Sequence, residues 1–340
     1  MRLFYFENMS KENLANLLLQ WYAQSGRDLP WRFKGGAHPN PYVVLVSEFM
    51  LQQTTVKTVI PYFHRFMDRF PTVFDLAKAS VEEVYALWQG LGYYARARSL
   101  HATAQMIVKD FKGEFPKTKN DVLKLKGMGP YTVASFLALA FDEPETVVDG
   151  NVLRIIARLY HLTEPLSNID DDIRAKAQKL LSKEHPADYT SAIMDLGATV
   201  CTPKKPQCLL CPWKDFCKSK DDSNLEQIPM RQKIGKTEKS GSVYLIYNSL
   251  GEVLIRQRTE KGLLFGLYEF PWCDEGKLPL KAKSLDKKVV HIFTHIKLTL
   301  NIYTLKTDSS PISDGFFVQP QELSKYAFST LMKKVWKNRA

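Results

Sequence analysis

Apolar residues in the first 200 or so positions recur three and four residues apart, the spacing of one face of an α-helix. Lys11–Gln24 shows this spacing after Ser10, a residue type that caps helices. Val81–Gln89 follows Ser80 and carries glutamates in its first turn, which favours a helix start. The same pattern predicts further short helices at Asp121–Lys126, Tyr131–Phe141 and Val152–Tyr160. The N-terminal part of the chain is therefore predicted to be mostly helical.

The pattern of Tyr42–Ile60 suits either a strand or a helix. Its valines are typical of a strand, whereas Pro41 and Pro61 bracket an uninterrupted run whose length favours a helix. On length we expect one helix between the two prolines.

The pattern changes in the last third of the chain. Residues 218–240 are polar and charged, which predicts a linker. Residues 242–258 then predict two strands joined by a turn at Asn248–Gly251, Val289–Leu305 is again rich in strand-forming residues, and Ser329–Asn338 predicts a final helix. This part of the chain is expected to be α+β.

The length and these patterns predict two domains with a linker. With 340 residues the chain is long enough for two domains. We expect a helical domain at 1–217, a linker at 218–240 and an α+β domain at 241–340.

The composition favours a polyanionic partner. There are 47 lysines and arginines against 36 aspartates and glutamates, a formal net charge of +11. We expect DNA or RNA rather than an anionic membrane, because no basic amphipathic anchor stands out. Apolar residues at 45% and charged residues at 24% exclude global disorder. With no export signal and no apolar run long enough to span a bilayer, we expect a cytoplasmic protein, and a monomer.

Four of the five cysteines lie close together, at Cys201, Cys208, Cys211 and Cys217. Their C-x6-C-x2-C-x5-C spacing allows four thiolates to close around one soft metal centre, and either tetrahedral zinc or an iron–sulfur cluster fits that donor set. The surrounding residues are basic and can either contact phosphates or form a solvated face, at Lys204, Lys205, Lys214, Lys218 and Lys220.

A glycine-rich turn joins two predicted helices within Leu125–Phe141. Gly127 and Gly129 bracket the turn, and Pro130 suits the first position of the second helix. Backbone N–H groups in such a turn can approach a phosphate closely. A simple packing corner between two helices would show the same pattern, and both interpretations stay open at this point.

Several motifs resemble those of base-excision DNA glycosylases. LKGMGPYTVAS and VVDGNVLR (Val147–Arg154) are similar to their helix-hairpin-helix and Gly/Pro–Asp signature, and the cysteine spacing resembles the 4Fe–4S loop of their endonuclease III branch. Within that branch, three motifs resemble the MutY adenine DNA glycosylase family: LPWR (Leu29–Arg32), SEFMLQQT (Ser47–Thr54) and GLGYYARAR (Gly90–Arg98). Two further motifs resemble the Nudix-like C-terminal domain of that family: GLYEFP (Gly266–Pro271) and HIFTH (His291–His295).

The resemblance implies a multidomain fold and a cofactor. The expected fold is a mostly α helix-hairpin-helix DNA glycosylase core, with the hairpin at 125–141 and a cluster loop at 201–217, plus an α+β Nudix-like domain. The resemblance favours a 4Fe–4S cluster over zinc on the four cysteines. It also implies that the partner is double-stranded DNA in which adenine is mispaired with 8-oxoguanine or guanine.

The resemblance also implies four catalytic residues. Glu48 matches the catalytic glutamate, and burial among apolar neighbours would raise its pKa and keep it protonated as a general acid. Asp149 matches a second carboxylate that stabilises or attacks the sugar cation, and Asn151 matches a residue that orients it. Tyr131 stands where bifunctional relatives carry a lysine, and tyrosine cannot form an imine. The expected enzyme is therefore a monofunctional glycosylase.

Three of these residues also have a purely structural interpretation. Glu48 can be a buried acid paired with an arginine, Asp149 can cap the helix that starts near Asn151, and Tyr131 can be a core aromatic residue. The nearby Lys124 and Lys126 also leave weak adventitious strand nicking open.

A second set of residues is expected to contact DNA. The resemblance implies that the DNA-facing residues are Gln52, Gln53, Thr54, Leu91, Tyr93, Gly127, Gly129, Phe293, Thr294 and His295. As structural residues, the glutamines would form a polar helix face, and the 293–295 segment would alternate along a strand.

The sequence departs from the family pattern in three places. Residues 33–39 form a longer loop than usual, with Asn40 where aspartate is common. Thr294 replaces the usual serine, keeping the hydroxyl and adding a methyl group. The residues after Pro271 lack the glutamate-rich REXXEE pattern of a true Nudix hydrolase, so magnesium-dependent pyrophosphate hydrolysis is not expected.

Three alternative functions were weighed against adenine excision. An endonuclease III-like glycosylase and lyase on damaged pyrimidines is disfavoured by Tyr131 and by the C-terminal domain. A non-catalytic iron–sulfur DNA-binding protein would use Glu48 and Asp149 only structurally. A nucleotide-pool Nudix hydrolase lacks its metal-binding glutamates here.

Overall fold

The computed structural model describes residues 11–32, 39–230, 235–278 and 280–339. The helices are α1 Lys11–Ser25, α2 Pro41–Leu51, α3 Val56–Arg69, α4 Val73–Lys78, α5 Val81–Trp88, α6 Ala95–Phe111, α7 Lys119–Lys124, α8 Pro130–Phe141, α9 Gly150–Tyr160, α10 Leu166–Leu180, α11 Pro186–Asp195 and α12 Thr330–Lys337. Of the predicted long loop at 33–39, only Pro39 lies within the described residues. None of the helices in the described ranges is long and apolar enough to cross a membrane.

The prediction of one helix between Pro41 and Pro61 is wrong. The chain forms two helices, because α2 ends at Leu51 and Gln53 takes a left-handed backbone conformation with φ 55°. Pro61 lies inside α3, so the second proline does not end the helix as expected. The helices predicted from the apolar spacing elsewhere are present, with ends that differ by one or two residues.

The chain divides into two compact units. The first contains residues 1–77 and 102–233, and the second contains residues 78–101 and 234–340. Residues 78–101, which the sequence assigned to the helical domain, therefore group with the C-terminal residues. They include α5, whose start is fixed by a reciprocal cap in which Ser80 Oγ accepts from Glu83 N at 3.2 Å and Glu83 Oε2 accepts from Ser80 N at 3.0 Å.

The first unit is built on an apolar core shared by α1, α9, α10 and α11. Leu18, Ile156, Ile173 and Ala192 have no exposed surface. Each lies on the apolar face of its own helix, so burial of these faces against one another stabilises the bundle. The core thereby fixes the N-terminus of α9, which carries Asp149, and the end of α11, which carries Asp195.

The first part of the predicted linker packs on this unit. Lys218 N donates to Leu159 O at 3.0 Å, and Leu225 and Ile228 are buried. The strand after it begins at Thr237, so the predicted linker at 218–240 is too long at both ends. Burial of these two apolar residues stabilises the packing of an otherwise charged segment against the first unit.

The second unit contains a seven-stranded mixed sheet. Its strands are β1 Thr237–Tyr247, β2 Val253–Gln257, β3 Tyr268–Glu269, β4 Trp272–Cys273, β5 Lys283–Ile292, β6 Ile296–Lys306 and β7 Gly315–Val318. The main path is β3-β2-β1-β6-β5, with β4 paired to β1 and β7 paired to β2. β1 and β6 run parallel with Thr237 opposite Ile296, and the other pairs are antiparallel.

The predicted α+β character of this unit is confirmed. Helix α12 begins where Ser329 Oγ accepts from Met332 N at 3.2 Å, and Leu331 and Val335 are fully buried in the same apolar cluster as residues of the sheet. The described residues between β4 and β5 form no helix, in keeping with the missing glutamate-rich pattern.

Candidate active site

A cleft in the first unit brings together the residues expected to act on DNA. Its lining includes Glu48 of α2, Tyr131 of α8, and Asp149 and Asn151 at the start of α9. Gly127 and Gly129 of the hairpin turn also line it. Residues separated by about 100 positions in the sequence thus face one space, a proximity that the sequence alone could not show.

Glu48 is buried within α2, with 7% of its surface exposed. Burial raises the pKa of this carboxyl from 4.5 to about 7, whereas the Ser135 hydroxyl and the Arg32 guanidinium lower it and Asp149 raises it further. The predicted direction of the pKa change, and its predicted cause, are confirmed. A carboxyl with such a pKa is half protonated near neutral pH and can donate a proton there.

Asp149 caps α9 and is fixed by Asn151. Asp149 Oδ1 accepts from Asn151 N and from Val152 N, both at 2.8 Å, and Asp149 Oδ2 accepts from Asn151 Nδ2 at 3.0 Å. The structural interpretation as a helix cap is therefore confirmed. The cap also holds the carboxylate in one orientation at the edge of the cleft.

Arg154, which the sequence reasoning did not single out, continues this chain of hydrogen bonds. Its guanidinium donates from Nη2 to Asn151 Oδ1 at 2.9 Å and to Gly197 O at 2.8 Å, and from Nε to Cys201 O at 2.8 Å. Gly197 permits this packing, because a Cβ there would lie 2.6 Å from the Cβ of Asn151. A residue three positions after Asn151 on a helix shares its face, and that spacing was the available signal.

Tyr131 lies beside both carboxyl groups. Its ring is 38% exposed, whereas burial of its hydroxyl raises its pKa, and Glu48 and Asp149 raise it further. Ser135, one helical turn along α8, is close enough to lower the pKa of both Glu48 and Tyr131, yet its buried Oγ has no hydrogen-bond partner of ordinary geometry among the described residues. Tyr131 is thus a neutral phenol at the centre of the cleft and not a core aromatic residue.

The hairpin turn has the geometry that close approach to a phosphate requires. Gly127 has φ 75°, a conformation that favours glycine, and Gly129 precedes α8 with open space where a Cβ would project. Thr103 Oγ1 donates to Lys126 O at 2.7 Å and anchors the turn. The backbone N–H groups at the start of α8 are therefore available to an anion.

The break between α2 and α3 presents the predicted polar residues to the same cleft. Gln52 Nε2 donates to Thr132 Oγ1 at 3.2 Å, and Thr54 Oγ1 donates to Gln52 O at 3.3 Å. Gln53 is exposed in its left-handed conformation. These contacts fix the loop and leave the Gln53 side chain free to project outwards.

Asp195 is a further buried carboxylate that the sequence reasoning missed. It lies at the end of α11 with no exposed surface. Its Oδ1 accepts from Arg27 Nε at 2.8 Å and from Arg32 Nη1 at 2.6 Å, and its Oδ2 accepts from Arg27 N at 2.8 Å. Arg27 and Arg32 both line the cleft. An aspartate at the end of a helix gave no sequence signal for this role.

In the second unit, Tyr93 and Thr294 meet. Tyr93 Oη and Thr294 Oγ1 are 3.2 Å apart, and Thr294 and His295 are exposed at the tip of the β5–β6 hairpin, which the Phe293 N to Ile296 O bond of 2.8 Å closes. The segment is thus a turn and not a continued strand. Tyr93 is 46% exposed with φ 50°.

Leu91 differs from the other predicted DNA-facing residues. It is only 6% exposed, and its N–H donates to Trp88 O at 3.0 Å. Its predicted contact with DNA stays a prediction.

The four clustered cysteines line one small cavity in the first unit. The buried Arg158 holds the loop, donating from Nη1 to Thr202 O at 2.7 Å and to Cys201 Sγ at 3.5 Å. Burial raises the pKa of Cys211 to about 12 and that of Cys217 to about 11, so both need a cationic centre to become thiolates.

This cysteine arrangement fits a multi-iron cluster. Within the described ranges, no three His, Cys, Asp or Glu side chains are arranged to hold a single metal ion. Four cysteines that face one cavity are a donor set that suits either a tetrahedral zinc ion or a cluster with several iron atoms. Cys201, Cys208, Cys211 and Cys217 would be the ligands.

Comparisons with known proteins agree with this geometry. The family model described as HhH-GPD superfamily base excision DNA repair protein matches residues 46–183. Residues 201–217 match the iron-sulfur binding domain of endonuclease III, and residues 242–338 match a NUDIX domain. Adenine DNA glycosylase of Mus musculus is 35% identical over 395 residues, which cover 94% of this chain and 76% of the relative.

The chain belongs to the adenine DNA glycosylase family. Adenine DNA glycosylase of Buchnera aphidicola subsp. Acyrthosiphon pisum is 30% identical, with 97% of this chain and 93% of the relative covered. A solved thermostable thymine-DNA glycosylase is 26% identical with a TM-score of 0.55, covering 62% of this chain and 96% of its own. The helix-hairpin-helix fold, the Nudix-like domain and the 4Fe–4S cofactor expected from the sequence are thereby confirmed.

Proposed function

We propose that this adenine DNA glycosylase excises adenine mispaired with 8-oxoguanine, or with guanine, and leaves the DNA backbone intact. The observation that carries the proposal is the shared cleft of Glu48, Asp149 and Tyr131. It supplies a proton donor and a fixed carboxylate, and it offers no amine among these three residues.

Glu48 acts as the general acid. Adenine is a poor leaving group as an anion, so its departure from the sugar requires a proton. Glu48 in its protonated form donates that proton to the base as the N-glycosidic bond breaks. The base then leaves neutral. Water completes the hydrolysis by adding its oxygen to the sugar carbon, and the proton that this water loses restores the protonated form of the Glu48 carboxylate.

Asp149 stabilises the positive charge that develops on the sugar. The oxocarbenium-like state carries that charge near the ring oxygen and the anomeric carbon, where a fixed carboxylate is most effective. Asn151 and the α9 N-terminus hold Asp149 through three hydrogen bonds, so little reorganisation is needed during the reaction.

Tyr131 makes the enzyme monofunctional. A lyase needs an amine that attacks the sugar to form an imine, and a phenol cannot supply one. Its raised pKa keeps the hydroxyl neutral beside the two carboxyl groups, so it can donate a hydrogen bond within the cleft.

Recognition of the opposing base is assigned to the second unit. Tyr93 and Thr294 form an exposed pair with two hydroxyls 3.2 Å apart, beside the exposed His295. These groups can read the hydrogen-bonding edge of 8-oxoguanine, and Gln53 of the first unit can enter the base stack. The cluster, when bound, would cross-link the four cysteines and stiffen the basic loop at 201–217.

The test is product analysis on matched duplexes. Duplexes with adenine opposite 8-oxoguanine, guanine or thymine are incubated with the enzyme, and each is analysed for free adenine and for strand breaks before and after alkali. We expect adenine release opposite 8-oxoguanine and guanine but not thymine, with breaks only after alkali. Breaks without alkali, or a borohydride-trapped protein–DNA complex, would instead indicate a lyase.

A further inference from the structure

We propose that Asp195 is a positioning residue for the Glu48 acid, because it holds Arg32 and cancels its positive charge beside Glu48. The inference rests on the proposed role of Glu48 as proton donor. Asp195 touches neither the cleft surface nor any of the three residues assigned to the reaction, and it acts through Arg32.

The geometry shows why Arg32 needs a partner. Arg32 and Glu48 line the same cleft, and they also share a second, smaller cavity. An arginine beside a carboxyl favours its ionised form, which is the wrong form for a proton donor. The side chain of Arg32 is only 11% exposed, so water screens the charge of its guanidinium only weakly.

Asp195 supplies the compensating charge. It is completely buried and lies 2.6 Å from Arg32 Nη1. Arg27 also contacts it, with 2.6 Å between Arg27 Nη2 and Asp195 Oδ1, so one carboxylate serves two arginines. A buried carboxylate with two cationic partners is stable only in a fixed arrangement, which also fixes where Arg32 lies.

The backbone is built to bring Arg27 to this carboxylate. Gly26 turns the chain back at the end of α1, with its N–H donating to Tyr22 O at 2.8 Å. A Cβ at Gly26 would lie 2.5 Å from the Tyr22 ring, so only glycine permits the turn. Arg27 N then donates to Asp195 Oδ2, and Tyr22 itself lies close enough to Arg32 and Asp195 for both charges to act on its pKa.

The other groups around Glu48 do not supply this compensation. Asp149 at the start of α9 is anionic and favours the protonated acid, whereas Ser135 and Tyr131 of α8 are neutral. The smaller cavity is also lined by Asp142, His185 and Asp188, whereas the carboxylate that lies 2.6 Å from Arg32 Nη1 is that of Asp195. Asp195 is the residue that contacts Arg32 directly.

The experiment measures adenine release against pH under single-turnover conditions with saturating duplex, on the cluster-loaded enzyme. The rate should fall as pH rises through the pKa of Glu48. In Asp195→Asn the charge of Arg32 is uncompensated, so this fall should move to lower pH by about one unit. In Arg27→Gln the charge of Asp195 is less compensated, so the fall should move to higher pH.

Opposite responses distinguish charge tuning from damage to the fold. Both substitutions remove one ion pair from Asp195. A purely structural role of Asp195 therefore predicts that both variants release less adenine in total, while the pH at which the rate falls stays the same. The double variant Asp195→Asn, Arg32→Gln removes both charges and should return the fall towards the parental pH. Parental adenine release with an unmoved profile in Asp195→Asn would overturn this inference alone, whereas absence of release by the parent enzyme would overturn the proposed function.

Discussion

Burial of the Glu48 carboxyl should cost folding stability above neutral pH, and Glu48→Gln should recover it. The pKa of Glu48 is raised from 4.5 to about 7 in the folded protein, mainly because the group is buried. The difference of about 2.5 in pKa corresponds to about 3 kcal/mol, since one unit is worth about 1.4 kcal/mol. The folded state therefore resists ionisation of this residue by that amount.

The sign of the effect follows from linkage. Below pH 4.5 the carboxyl is neutral in both the folded and the unfolded state, so its burial does not lower the free energy of unfolding through ionisation. Between pH 4.5 and about 7 the unfolded chain loses the proton while the folded protein keeps it, so the free energy of unfolding falls as pH rises. Above this window the whole cost is present. Glutamine cannot ionise, so Glu48→Gln does not carry this cost.

The assay is denaturant unfolding of parent and Glu48→Gln at about pH 4.5 and pH 8.5, with exposed Glu114→Gln as the matched control. The stability of Glu48→Gln relative to the parent should increase by about 3 kcal/mol between the two pH values. The control should show no comparable gain, because Glu114 is exposed. An equal difference at both pH values would refute the buried-acid account.

Four other outcomes follow from the structure. Arg154→Gln should lose the bonds to Cys201 O, Gly197 O and Asn151, so both the free energy of unfolding (by about 3 kcal/mol) and the iron-to-protein ratio should fall. Unchanged values of both would show that Arg154 does not join the cluster loop to the active site. Thr294→Ala should lose about tenfold in preference for 8-oxoguanine over guanine, measured by paired single-turnover rates, whereas Thr294→Ser should keep it. Parent enzyme should give no borohydride-trapped complex with abasic DNA, because Tyr131 has no amine. DNA affinity should fall steeply as salt rises, and a flat titration would exclude a phosphate-driven interface.

The sequence predicted the helices with regular apolar spacing well, because spacing directly reflects which face is buried. It failed at Tyr42–Ile60, where the chain breaks at a left-handed Gln53 and Pro61 is accommodated within α3. Apolar spacing carries no information on such a break, since the break depends on backbone conformation at one residue. It failed again at the linker, where burial of Leu225 and Ile228 outweighed the polar composition.

The site was predictable where motifs marked it and not where long-range contacts built it. Glu48 in an apolar segment and Asp149 before a helix carried local signals for a buried acid and a cap. Arg154 had only its spacing from Asn151, because its bonds to Gly197 O and Cys201 O span 43 and 47 positions. Asp195 carried no local signal, because Arg32 lies 163 positions away in the sequence. The burial of Leu91 had no local signal either, since burial is decided by packing that no short motif encodes.

The most direct test of the central claim is the single-turnover rate of adenine release from an adenine:8-oxoguanine duplex, measured from about pH 5 to pH 9 for the parent and for Glu48→Gln. The account predicts release that falls as pH rises through about 7 in the parent, and loss of release in the variant at every pH. Release by Glu48→Gln at the parental rate would show that Glu48 is not the proton donor and would contradict the account.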